Sequence, residues 1–321
     1  MSKRICWKKG MRLTDEVLIA ADNCTAESLN QALMLASAGR YGLMPSLHPF
    51  NLSLNITREQ VEVTSISLLA ITRTGDVINL HLDRDQIQVL NNTLSLPSNE
   101  NELFLTINRE PERWEETDNG YLEPHYYFSL ITPQTALSDH AMPISHLINN
   151  DGWQEDTARF VPPCLYVSAS YRLEELRTQL VDVLKSIHEK TKTQTQSPVK
   201  TAISIYWPIV QEVLIQANTM QDTMTPAMLL ACIQRVVGGF ALACDMDEVL
   251  TLEDASTFYN FSQIGYNYQK AYLRIRQGIG MCHAINDKID KFSLLTPIPP
   301  QPTPTPEPKP EPRRSWLGKQ I

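Results

Sequence analysis

The chain has 321 residues, 42% hydrophobic and 20% charged, a make-up that suits an ordinary globular protein with length for two cores. Its formal net charge is −8, with acidic and basic residues interleaved, which excludes a nucleic-acid surface built on clustered Lys and Arg. Six scattered cysteines (Cys6, Cys24, Cys164, Cys232, Cys244, Cys282) form no CxxC pair and read as reduced thiols, several of them core fillers.

In chain order, the opening MSKRICWKKGMRL is basic but lacks the apolar run of a signal peptide. No later stretch reads as the roughly 20 apolar residues of a membrane span. Residues 25–38 suit a short helix stopped by Gly39. From Val61 the pattern alternates, and two β-branched runs flank Arg73-Thr74-Gly75-Asp76 as a hairpin. Further strands are predicted at 102–108, 125–131, 144–148 and 165–169, with polar loops at 98–102 and 110–120. Short strands at this spacing imply an antiparallel β-sandwich.

Near Tyr171 the period changes to that of a helix. Leu173, Leu176, Leu180, Val183 and Ile187 form one apolar stripe, closed by the polar run at 191–198. A second helix is predicted from Ala202 to Met220, with Pro208 bending or restarting it. A third starts at the Thr225-Pro226 cap and stops at Gly238-Gly239. In the last helix Tyr268, Tyr272, Ile275, Ile279, Cys282, Ile289 and Phe292 share a seam, with Asn286 where an apolar residue is expected. These stripes fit either the core of a four-helix bundle within one chain or a face that meets other copies.

After Leu295 the proline-rich run cannot bury enough apolar area to fold and should be extended and disordered. It ends in Arg-Arg-Ser-Trp-Leu-Gly, where Trp316 and Leu317 make an aromatic anchor on a stiff spacer. The fold class expected is therefore α+β. Residues 1–170 form the sandwich, 171–295 a helical bundle and 296–321 the tail.

Catalytic patterns are missing. There is no GxGxxG, P-loop, HExxH or GxSxG, and Cys282-His283 would point about 100° apart on a helix. His140, His146 and Asp139 match no common ligand spacing, so neither a cofactor nor a metal is expected.

Three stretches, taken in order, resemble the TssK family of type VI secretion baseplate subunits. They are Ile5 to Leu13 with its Trp-x-x-Gly-x-x-Leu spacing, Met142-Pro143-Ile144-Ser145 leading to Phe160-Val161-Pro162-Pro163-Cys164-Leu165, and Trp207-Pro208 with the 226–239 helix. The resemblance covers about residues 1–290. It implies a shoulder sandwich, a helical stem, a homotrimer, and TssF/TssG wedge binding through the shoulder, for which Trp7, Met11 and Leu13 are the candidates. Trp7 reads equally as a core anchor for the terminus.

Leu173, Leu176, Leu180, Val183, Ile187, Ile275, Ile279, Ile289 and Phe292 are the candidates for stem or trimer packing. The chain departs from the family at 14–18 and passes from its last helix into the tail, as a short form without the family's C-terminal head. That leaves Trp316 and Leu317 as the tether towards membrane-complex proteins. The expected role is a non-enzymatic connector in the cytoplasm, at the inner face of the inner membrane when assembled. The alternatives are a phage-like receptor-binding adaptor and a hydrolase using Cys164 or His140.

Overall fold

A computed structural model describes residues 11–12, 14–37, 39–116, 122–193, 200–246, 252–267 and 270–292. The elements run as α1 (Asp15–Ala36), β1 (Gly42–Leu43), β2 (Asn51–Ile56), β3 (Gln60–Ile71), β4 (Val77–Leu82), β5 (Thr93–Ser95), β6 (Glu102–Glu116), β7 (Leu122–Ile131), β8 (Ala141–Asn149) and β9 (Trp153–Glu155). Then come α2 (Tyr171–Thr193), α3 (Lys200–Thr219), α4 (Pro226–Met246), α5 (Leu252–Ser262) and α6 (Ala271–Phe292).

The long strand β3 carries the first sheet. It pairs antiparallel with β1 and β2 along one edge and with β4 and β5 along the other. The second sheet is antiparallel in the order β7-β6-β8-β9. Alternation along the strands sends Val63, Ile66 and Leu68 of β3 inward to meet Leu105 and Ile107 of β6 and Met142 and Ile144 of β8. The expected sandwich is present, and helices follow it.

The same core continues into the helices without a break. The seam lies where the 160–165 segment runs beside β1. Leu43 N–H donates to Pro163 O at 2.7 Å and Leu165 N–H donates to Leu43 O at 2.9 Å. Gly42 sits at φ +138°, and a Cβ there would lie 2.4 Å from Pro163 O, so only glycine lets the two backbones meet. On the helical side, Arg172 donates to Phe160 O at 2.7 Å and its guanidinium lies 4.4 Å over the Tyr272 ring.

Several sequence expectations need correction. The first helix begins at Asp15, ten residues before the predicted start, with Thr14 in an extended conformation ahead of it but no side-chain cap bond. The strand predicted at 165–169 is instead one parallel bridge, Leu43 to Cys164, followed by a 3-10 turn at Val167–Ala169. Residues 110–116 of the loop expected at 110–120 are strand, because β6 resumes its pairing with β7 beyond a bulge between Arg109 and Trp114; 117–120 lie outside the described residues.

Gly238-Gly239 does not end the third helix. α4 runs on to Met246, and the glycines serve close packing: a Cβ on Gly239 would lie 2.8 Å from Ile209 Cδ1 of α3. The short helix α5 was not anticipated. α4 also has the length and apolar composition of a membrane span, contrary to expectation, but 56% of that stretch is buried against the other helices.

Candidate assembly surfaces

α1 lies on the surface with much of its apolar face uncovered. None of its described side chains is buried, yet Leu18, Ile19, Leu29 and Leu35 are exposed, Leu35 by 82%. Beneath Leu33 and Ala36 a gap of about 100 Å³ separates the helix from Ile71 and Leu165. The helix comes close to the rest of the fold at the β3–β4 turn, where a Cβ on Gly75 would lie 2.4 Å from Asn30 O.

The main fastening is Asp76, in the turn between β3 and β4. Its carboxylate accepts from Asn30 Nδ2 of α1 at 2.8 Å, from Arg109 Nη1 of β6 at 2.6 Å and from Thr74 Oγ1 at 2.6 Å. His140 Nδ1, just before β8, lies 2.7 Å away. Burial alone would raise this carboxyl. The bonds from Thr74 and His140 and the charges of Arg109 and His140 outweigh that, and hold it below its ordinary value of 3.8. One carboxylate thus ties α1 to both sheets.

This cluster is not a catalytic triad. Thr74 and Asp76 both approach the same ring nitrogen of His140, so the imidazole cannot relay a proton from one to the other. His146 is likewise held structurally, between Glu102 at 2.8 Å and Asp156 at 3.3 Å. Burial pushes the Cys164 thiol far up and the Cys282 thiol up to about 12, which leaves both protonated and unreactive. Among the described residues no cluster of His, Cys, Asp and Glu fits a metal ion.

The predicted packing residues fall inside one chain. Leu173, Leu176, Leu180, Val183, Ile187, Ile275, Ile279 and Ile289 are each at most 5% exposed, where α2, α4 and α6 meet. As folded they present no surface to a second copy. Phe292 lies in α6, with its side chain outside the described residues, and Tyr268 lies outside them altogether. The position that completes the seam is Ile285, fully buried, while Asn286 turns aside to accept from Ser186 Oγ of α2 at 3.1 Å. Of the predicted docking residues, Met11 is 38% exposed just ahead of α1. Trp7, Leu13, Trp316 and Leu317 lie outside the described residues.

Two surfaces escaped the sequence reading. One is the outer face of α1. The other is a groove of about 700 Å³ between α4 and α5, where Leu242 and Tyr259 are 63% and 61% exposed.

Comparison with solved structures places this architecture. A crystal structure of TssK matches 89% of this chain and 72% of its own, with a TM-score of 0.62 and 12% identity. The chain has the TssK fold. TssK from the EAEC type VI secretion system, solved with a nanobody, matches 84% of this chain and 68% of its own, with a TM-score of 0.55 and 13% identity. In the TssK–TssF–TssG baseplate subcomplex seen by cryo-electron microscopy, the match covers 90% of this chain and 99% of that one, with a TM-score of 0.56 and 13% identity. No family model and no curated protein sequence matches the chain.

Proposed function

We propose that this chain is a structural subunit of a type VI secretion baseplate, doing the work of TssK as a connector without catalysis. The observation that carries this reading is the shared fold across 90% of the chain, with a protein solved in a baseplate subcomplex with TssF and TssG. The sandwich is the shoulder and the helices are the stem, divided near residue 170, with the tail from residue 296. The wedge partners TssF and TssG dock on the N-terminal surface. Trp7, Met11 and Leu13 lead into the exposed apolar face of α1, and an apolar helix face that the chain itself leaves uncovered fits such a contact.

The proposed assembly is a homotrimer in the cytoplasm at the inner face of the inner membrane. Because the α2 and α6 stripes are consumed inside each stem, contacts between copies fall to exposed surfaces. The tail, with Trp316 and Leu317, is the proposed tether to membrane-complex proteins.

Co-expression with TssF and TssG tests the reading. A stable complex should co-purify, and Leu18→Lys with Leu29→Lys should weaken capture of the wedge while leaving the fold intact. Wedge capture unchanged by both substitutions would remove α1 from the interface, and no capture by the native chain would remove the reading itself.

A further inference from the structure

The α4–α5 groove is lined by Gly238, Leu242, Asp245, Ala255, Tyr259 and Gln263 among others, with Asp245 late in α4 and Gln263 just past the end of α5. Its volume of about 700 Å³, bordered by the exposed Leu242 and Tyr259, has room for a large apolar side chain, and nothing from the described chain fills it. Its acidic end also lies beside the point where the last helix finishes. Ile289 of α6 borders Cys244 of α4, and Lys288 pairs with Asp254 of α5 at 2.8 Å. From there the chain continues with the 293–321 sequence.

That sequence matches the groove in chemistry. Among the described residues Asp245 and Glu253 stand at that end beside the Asp254–Lys288 pair, whereas 313–319 reads Arg-Arg-Ser-Trp-Leu-Gly-Lys. We infer that the α4–α5 groove binds the chain's own C-terminal segment, with Trp316 and Leu317 between Leu242 and Tyr259 and Arg313 and Arg314 against the acidic end.

Reach is ample. Roughly two dozen residues separate Phe292 from Trp316 and span about 75 Å when extended at ~3.1 Å per residue, against about 16 Å along α4 from Asp245 to Gln234. A tether of this kind gives an effective concentration on the order of 1 mM, so an intrinsic Kd of about 100 µM would leave the groove roughly tenfold more often filled than empty. The inference concerns the chain by itself and stands whether or not it assembles with a baseplate; a membrane-complex protein that takes Trp316 and Leu317 as a tether would have to displace them from this groove.

Two readouts on the full-length chain test it. Trypsin cleavage after Arg313 and Arg314 should be several-fold slower in the native chain than in Ala255→Arg, which puts a long cationic side chain into the groove. Amide exchange over 238–245 and 255–262 should be several-fold slower in the native chain than in Trp316→Ala with Leu317→Ala, a change that touches no described residue. Both effects should hold over about a hundredfold range of protein concentration, as an intramolecular contact requires. Equal cleavage and equal exchange would overturn the inference. Protection that grows with concentration would also overturn it, assigning the groove to a second copy.

Discussion

At the scale of single residues, Asp76 joins α1 to both sheets through one carboxylate. Its carboxylate serves Asn30, Thr74, Arg109 and His140 at once, so Asp76→Ala removes the shared partner of four side chains from three parts of the fold. Breaking a buried ionic network costs about 3–5 kcal/mol, and a value near the lower figure is expected here because His140 is partly exposed. Urea denaturation measures it.

The pH dependence follows from the direction of the shift. A carboxyl whose folded value lies below its ordinary 3.8 contributes stability that is fully present above that value and is lost as pH falls through the folded one. The gap between the native chain and Asp76→Ala should therefore be full at pH 7 and shrink on acidification below about pH 4. An unchanged gap at pH 3 would contradict this account of Asp76. Gly42 offers a second test: Gly42→Ala places a Cβ 2.4 Å from Pro163 O at a φ of +138°, and should cost at least about 2 kcal/mol.

At the scale of elements, α1 and α2 are opposites. Leu180 of α2 is fully buried, so Leu180→Ala should cost about 2–5 kcal/mol in thermal or urea unfolding. Leu29 of α1 is 56% exposed, so Leu29→Ala should shift stability by less than about 0.5 kcal/mol. Periodicity made α2 and α6 legible because both bury a single stripe along many turns. It could not show that Ile285 rather than Asn286 closes the seam, since both positions lie near the same stripe and only the packed partner, Ser186, distinguishes them.

Gly238-Gly239 misled for a related reason. Glycine signals a helix end when read locally, but here it answers to Ile209 and Ser262 on neighbouring helices, which a linear reading cannot see. The arms of β6 and β7 beyond Arg109 were hidden because Glu, Arg and Pro there carry no alternation, and backbone pairing such as Trp114 with Pro124 decides the structure. α1 was read short even though Thr14-Asp15-Glu16 is a helix-start pattern, because its apolar residues form no buried stripe to extend the reading. Its exposed apolar face was legible only once the sandwich beneath it was known.

At the scale of the whole molecule, the sandwich and the helical half share one continuous core, and the Gly42–Pro163 contact and the Arg172–Tyr272 stack fix their junction. A junction packed in this way suits the proposed connector role, because two halves that share a core move less readily against each other. The sequence resemblance rested on scattered motifs at low identity, and the shared TssK fold is what supports them as parts of one architecture. The assembly state is the remaining link between that fold and a baseplate role. Native mass spectrometry of the full-length chain, alone and with TssF and TssG, tests it most directly. The account predicts three copies of the 36.4 kDa chain held together and carried intact into a complex with the wedge proteins; a monomer at micromolar concentration that ignores both would contradict it.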